Sequence, residues 1–352
     1  MQAILGVFFH FLGGFASGSF YIPYKKVKGW SWESYWIIGG LFSWLLVPLL
    51  AASLTIPNFM DIIRGTDRQT LFYTYLMGLL WGIGGLTFGL SMRYLGLSLG
   101  MSVALGFTAA FGALVPPLYR DLFTTDTANT FSGMVSTTSG QLVLLGVVIC
   151  LAGIVICGKA GVFKERELSA EQKQDSIKEF NIRKGLIVAP ISGILSACFN
   201  FGIEAGKPMA KAAIDQGADP LFQNNVIFVV LLWGGLTTNL LWCLVLNARN
   251  RSFKDYTNSK VPLLPNYIFA ALAGTIWFLQ FFFYGMGESK LGNGASSWIL
   301  HMAFIILVSS MWGIALKEWK GVSRRTFRTI LLGIATIILS VIVVGYGNSL
   351  AE

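Results

Sequence analysis

Residues 267–288 read YIFAALAGTIWFLQFFFYGMGE, and the only charged side chain in the stretch, Glu288, is its last residue. An α-helix rises about 1.5 Å per residue, so a helix of this length crosses the roughly 30 Å hydrocarbon core of a membrane. Apolar runs this long are typical of membrane spans rather than of helices in soluble proteins. The stretch therefore predicts a transmembrane helix.

Similar runs recur from one end of the chain to the other. Hydrophobic residues make up 54% of the 352 residues and charged residues only 12%, about half the charged share of a soluble domain. These features predict an all-α integral membrane protein with ten transmembrane helices. We place the spans at 3–24, 34–54, 72–93, 97–119, 140–158, 184–206, 222–247, 267–288, 294–316 and 326–347.

The distribution of basic residues predicts the orientation of these spans. Twenty of the 26 Lys and Arg residues fall in the first, third, fifth, seventh and ninth loops or at the span ends that border them. Cytoplasmic loops carry the excess of basic residues in membrane proteins. We therefore expect the odd-numbered loops in the cytoplasm and both termini in the periplasm. The same rule explains the net charge of +9 without a nucleic-acid partner.

The two halves of the chain resemble each other. Equivalent residues recur in the same order, which a gene duplication requires. They include Gly14 with Gly193 and Phe20 with Phe199, 179 residues apart, and Gly78 with Gly274 and Trp81 with Trp277, 196 residues apart.

This similarity predicts two five-helix repeats, residues 1–158 and 184–352, joined by a cytoplasmic connector over 159–183. Because five is an odd number, the second repeat must enter the membrane inverted. Inverted repeats are typical of secondary transporters, which bind substrate between the halves.

Several polar side chains lie inside the predicted spans, where they are costly unless they face the protein interior. Such residues mark a pathway for a solute, although they also serve as hydrogen bonds between helices. Amides and hydroxyls beside aromatic rings suit a sugar, because its hydroxyls need directed partners and its apolar face packs on a ring. The expected substrate-binding residues are Tyr21, Asn200, Trp277, Gln280 and Tyr284. Tyr21 follows His10, Gly14 and Ser17 on one predicted helix face.

Three ionisable residues in the spans are candidates for proton coupling. His10 and His301 are the only histidines, and an imidazole exchanges its proton near physiological pH. Glu204 is the third candidate, although an ion pair with Lys207 is an alternative role for it. A structural hydrogen bond is the alternative for each histidine. Glu288, at the end of its span, is expected to be interfacial.

Other chemistries find no support in the sequence. The chain has no Cys and His spacing of a metal site, no G-x-S-x-G nucleophile motif and no complete phosphate-binding loop. We therefore expect no enzyme activity, no metal and no cofactor, with the proton as the coupling ion. The lipid bilayer and a small-molecule substrate are the expected partners, and the oligomeric state is left open.

Several long, aromatic-rich motifs occur along the chain. They include YIPYKKVKGWSWE at 21–33, MRYLGLSLG at 92–100, WFLQFFFYGMG at 277–287 and SWILHM at 297–302. With these motifs the sequence resembles the L-rhamnose/proton symporter family, a sugar branch of the drug/metabolite transporter superfamily, almost from end to end. The resemblance implies proton-driven import of L-rhamnose across the inner membrane of a Gram-negative bacterium. Export of drugs or metabolites is the alternative within the superfamily, and related neutral sugars are alternative substrates.

Overall fold

The computed structural model describes residues 1–95, 97–123, 129–167, 181–317 and 319–351. Over these residues the chain is helical and contains no strand. In this described part, ten helices are long and apolar enough to cross a membrane, which confirms the predicted number. They are α1 Gln2–Ser19, α2 Trp32–Thr55, α3 Arg68–Leu95, α4 Leu97–Phe123, α5 Thr138–Glu167, α6 Ile182–Ala205, α7 Asn225–Asn250, α8 Leu263–Leu291, α9 Gly294–Ala315 and α10 Arg324–Ser349.

The helix boundaries bear on the predicted connector between the two halves. Helix α5 continues to Glu167 and so includes the first residues of the predicted connector at 159–183. Residues 168–180 lie outside the described part of the chain. The division into two repeats joined by this connector therefore stays a prediction.

Helix α2 contains a π-helical turn over Phe42–Leu46. The turn lies just before Pro48, which has no backbone N–H to donate to the preceding turn of an α-helix. The Val47 N–H donates to the Phe42 carbonyl, five residues earlier. One wider turn thus keeps the helix continuous past the proline, and apolar length alone could not predict it.

The helices of the two halves pack in matching ways. Helix α1 packs against α8 and α9, while α6 packs against α3 and α4, and α5 packs along α10. Let α1 correspond to α6, α3 to α8, α4 to α9 and α5 to α10. The contacts of α1 with α8 and α9 then correspond to those of α6 with α3 and α4, and the α5–α10 contact corresponds to itself. This correspondence is consistent with the predicted duplication.

Glycines that match between the halves make matching close approaches. A Cβ atom at Gly14 would collide with Phe304 of α9, and one at Gly193 would collide with Phe107 of α4. Small residues allow two membrane helices to approach closely. The α1–α9 and α6–α4 contacts are therefore close at equivalent positions.

The matched aromatic residues follow the same pattern. The Trp277 ring of α8 lies 4.1 Å from the Phe20 ring, and the Trp81 ring of α3 lies 5.1 Å from the Phe199 ring of α6. Both distances join ring centroids. Two residue pairs that resemble each other in sequence are thus also in contact in space, which supports the repeat as a property of the fold.

The outer surface of the bundle is apolar. Large exposed side chains occur on its spanning helices, and a surface of this kind is stable against lipid rather than water. Examples are Ile4, Leu50, Val155, Ile187, Leu241 and Ile342. The polar side chains considered below lie inside this apolar surface.

Candidate substrate and proton site

Three buried rings meet where α1, α8 and α9 pack together. The centroid of the His10 ring of α1 lies 5.3 Å from that of Tyr284 on α8 and 6.2 Å from that of His301 on α9. The Tyr284 and His301 centroids are 5.2 Å apart. We call His10, Tyr284 and His301 the ring cluster. It joins the only two histidines of the chain, which are 291 positions apart in the sequence.

Glycines make room for the ring cluster. A Cβ atom at Gly287 of α8 would lie 2.7 Å from His10 Nε2, closer than real contacts allow. A Cβ atom at Gly13 of α1 would lie 3.2 Å from the His301 ring. The His10 ring therefore occupies space that a side chain at position 287 would fill, and Gly13 allows His301 to approach α1 closely.

Several polar atoms around the ring cluster have no hydrogen-bond partner among the described residues. They are both ring nitrogens of His10, Nδ1 of His301 and the side-chain nitrogen of Gln280, and all are buried. An unpaired buried polar atom costs about 1–3 kcal/mol, so such atoms are uncommon in native proteins. Their concentration at one point favours a site that exchanges a proton or binds a polar ligand.

Asn200 of α6 orients one member of the cluster. Its Oδ1 accepts a hydrogen bond of 3.0 Å from the Tyr284 hydroxyl, and its Nδ2 donates one of 2.8 Å to the Gly112 carbonyl. Trp298 of α9 donates to the Thr108 carbonyl at 2.9 Å, which fixes α9 against α4. The geometry gives Asn200 a positioning role, while its predicted direct contact with a substrate stays a prediction.

Tyr21 does not lie with the ring cluster. The predicted helix face holds for His10, Gly14 and Ser17, which are buried, but Tyr21 is 48% exposed. Phe20, with helical backbone angles, joins α1 to a short helix over Tyr21–Tyr24. Tyr21 is therefore not packed with the buried residues of the stripe, and its contact with a substrate stays a prediction.

Trp277 lies one helical turn from Gln280 along α8, away from Tyr284. Its ring packs at 4.1 Å against Phe20 and at 6.2 Å against Phe281, measured between centroids. Its indole nitrogen is buried and has no hydrogen-bond partner in the described part of the chain. The ring therefore lies between α1 and α8, two helical turns from Tyr284 and outside the ring cluster.

The ion pair considered between Glu204 and Lys207 does not form. Glu204 instead pairs with Arg120 at the end of α4. Helix α6 ends at Ala205 and a separate helix, Lys207–Asp215, begins after Gly206, so the two side chains are not on successive turns of one helix. A carboxylate already paired with a guanidinium is less suited to carry a transported proton, and proton coupling by Glu204 stays a prediction.

Glu288, which the sequence places at the interfacial end of its span, is buried inside the protein. Its carboxylate accepts 2.6 Å and 2.7 Å hydrogen bonds from Lys207 Nζ and Asn224 Nδ2. These contacts, with the Arg120–Glu204 pair, join the ends of α4, α6 and α8. We call Arg120, Glu204, Lys207 and Glu288 the charge network. It lies at the end of the bundle where α1 begins, because Gly6 of α1 packs against Leu291 of α8.

Comparison with known proteins gives one consistent result. The family model described as L-rhamnose-proton symport protein (RhaT) matches residues 1–350. The chain is 38% identical to the L-rhamnose-proton symporters of Cronobacter sakazakii and Klebsiella pneumoniae and 37% identical to one from Escherichia coli. Each of these matches extends over 348 residues and covers 97% of both proteins. The chain therefore belongs to the L-rhamnose-proton symport protein family.

Proposed function

We propose that this chain imports L-rhamnose, or a closely related neutral deoxy sugar or pentose, together with protons across the bacterial inner membrane. The observation that carries the proposal is the buried ring cluster with its unpartnered nitrogens, in a chain whose relatives are named L-rhamnose-proton symporters. The proton is the only coupling ion in this proposal, and no bound cofactor takes part.

The sugar is recognised by hydrogen bonds rather than by charge. A neutral sugar offers hydroxyl groups, and the unpaired nitrogen atoms of Gln280, His10 and His301 are suited to meet them. The rings of Tyr284 and Trp277 offer apolar surface to the face of the sugar. Asn200 contributes by holding the Tyr284 hydroxyl in place.

The proton is carried by the two imidazoles. Both rings are buried, and their centroids are 6.2 Å apart. Two like charges this close in a medium of low polarity repel strongly, so the pair holds one proton at most. Binding of the sugar next to the rings can then depend on whether that proton is present. This dependence couples the transport of the sugar to that of the proton.

Alternating access requires one end of the bundle to open while the other closes. The charge network ties α4, α6 and α8 together at the end where α1 begins, which the charge count predicts to be periplasmic. We propose that these ion pairs close the periplasmic end and separate when the sugar enters. The matching contacts of the two halves support a rocking movement about the ring cluster.

A transport assay on cells that produce the wild-type protein tests the proposed function directly. Addition of L-rhamnose to a weakly buffered, de-energised suspension of cells that produce the protein should raise the external pH, because protons enter with the sugar. Cells without the protein are the control, and fucose and lyxose define the specificity. An unchanged pH with every sugar would contradict proton-coupled sugar import.

Gly287→Ala is expected to lower L-rhamnose uptake at least about tenfold. The added methyl group displaces the His10 ring, and overpacking of this kind costs about 1–3 kcal/mol. The matched control is Gly85→Ala in α3, where no atom lies within 4 Å of the added carbon. Initial rates of labelled sugar uptake, corrected for protein amount, measure the effect. Equal uptake rates in the two variants would mean that the packing around His10 is not important for transport.

The orientation predicted from the basic residues is also part of this proposal. A reporter that is active only in the cytoplasm should stay inactive when fused after Glu352. The same reporter inserted after Asn258, in the loop between α7 and α8, should be active, because that loop is predicted to be cytoplasmic. If the first reporter were active and the second inactive, the charge network would lie at the cytoplasmic end of the bundle.

A further inference from the structure

Two neighbouring serines at the start of α9 differ in their hydrogen bonds. The Ser296 hydroxyl lies 3.0 Å from both the Asn293 carbonyl oxygen and Asn348 Oδ1, and these two acceptors share its single proton. The Ser297 hydroxyl is fully buried and has no partner among the described residues. Ser297 therefore keeps an unused donor and acceptor inside the protein.

The local backbone explains why Ser297 is unpaired. A buried serine in a helix usually donates to the carbonyl four residues earlier, which for Ser297 belongs to Asn293. That carbonyl already accepts the Ser297 N–H, at 3.0 Å, and the Ser296 hydroxyl. A carbonyl oxygen has two lone pairs, so the Ser297 hydroxyl would compete with the Ser296 hydroxyl for the second one. In the structure the Ser297 hydroxyl is left without this usual partner.

The packing of α1 against α9 locates this hydroxyl. Close contacts join Gly13 to His301, Gly14 to Phe304 and Gly18 to Val308, so the two helices run in the same direction. Ser297 lies one turn before His301 and shares its helix face. One turn before Gly13, α1 carries His10. Ser297 is thus level with the ring cluster and on the side of α9 that faces it.

We propose that Ser297 is a further sugar-binding residue, whose hydroxyl exchanges a hydrogen bond with one hydroxyl of the bound sugar. A serine hydroxyl can both donate and accept, as a sugar hydroxyl can, so the pair forms in either direction. The proposal rests on the proposed function and extends the site along α9 by one turn beyond His301.

Ser297→Ala is expected to weaken L-rhamnose binding about tenfold, measured by calorimetry on the purified protein, without lowering thermal stability. The variant removes an oxygen atom that bonds nothing in the protein, so folding loses no hydrogen bond. Ser296→Ala is the matched control. It removes the hydroxyl that hydrogen-bonds with Asn293 and Asn348, and should lower the unfolding temperature while leaving the affinity of the folded protein nearly unchanged. Ser297→Cys, similar in volume but a weak donor, should repeat the loss of affinity.

Monodeoxy forms of L-rhamnose distinguish a hydrogen bond from a packing effect. For the analogue that lacks the hydroxyl facing Ser297, wild type and Ser297→Ala should bind equally well, while the other analogues keep the difference. Unchanged affinity for L-rhamnose in both Ser297 variants, or the same loss for every analogue, would overturn the proposal. If the wild-type protein binds none of these sugars, both the proposed function and the role of Ser297 are refuted. If the wild-type protein binds the sugar and the Ser297 variants bind it equally well, only the role of Ser297 is refuted.

Discussion

His10→Gln is expected to abolish uphill accumulation of L-rhamnose while exchange of labelled sugar across the membrane continues. Glutamine keeps a polar side chain of moderate size at the buried position but cannot carry a proton at physiological pH. Net uptake against a gradient needs a proton to cross with each cycle, whereas exchange needs only binding and rocking. Accumulation driven by the membrane gradient and counterflow into preloaded vesicles measure the two processes separately.

His301→Gln identifies which ring carries the proton. Loss of accumulation in both histidine variants would mean that the two rings share one proton over their separation of 6.2 Å. Retained accumulation in His301→Gln would assign the proton to His10 alone. Retained accumulation in His10→Gln contradicts the prediction, and loss of exchange together with accumulation gives His10 a binding or structural role instead.

Glu204→Gln provides the control for proton coupling. The Glu204 carboxylate is paired with Arg120 at the end of the bundle, outside the ring cluster. We therefore expect this variant to accumulate sugar, even if it transports more slowly because the charge network is weakened. If only Glu204→Gln uncoupled transport from the proton gradient, the carboxylate rather than the imidazoles would be the carrier.

Glu288→Ala is expected to destabilise the folded protein by about 3 kcal/mol. Removing one member of a buried ion pair costs about 3–5 kcal/mol, and the partial exposure of the Lys207 side chain, 32%, favours the lower end of that range. Asn224 also loses the acceptor of its 2.7 Å hydrogen bond. Thermal unfolding of the purified protein, with the uptake rate, measures the loss.

An exposed ion pair supplies the comparison for Glu288. Asp61 and Arg64 are 3.4 Å apart, with side chains 68% and 73% exposed, and such a pair contributes at most about 1 kcal/mol. Asp61→Ala should therefore change stability little. Equal destabilisation by Asp61→Ala and Glu288→Ala would mean that the charge network does not hold the ends of the helices together. The exchanged pair Lys207→Glu with Glu288→Lys should recover part of the stability lost in Glu288→Ala.

The sequence by itself determined the membrane class, the ten helices and the polar residues inside them. This was possible because each property is local: apolar length reflects the thickness of the bilayer, and a polar residue within a span must avoid lipid. His10, Gln280, Tyr284 and His301 were all identified in this way. The structure then brought them together between α1, α8 and α9.

The tertiary structure alone decided which partner each polar group has. Local spacing suggested Lys207 for Glu204, but the end of α6 separates them, and Arg120, 84 residues away, takes the place of Lys207. Helical periodicity grouped Tyr21 with His10, Gly14 and Ser17, but Tyr21 is half-exposed while those three are buried. The sequence also could not show that the Ser297 hydroxyl is unpaired, because its possible partners lie on other helices. A hydrogen bond or ion pair between helices depends on where each helix ends and on which glycines let two helices approach, and these contacts join residues that are distant in sequence.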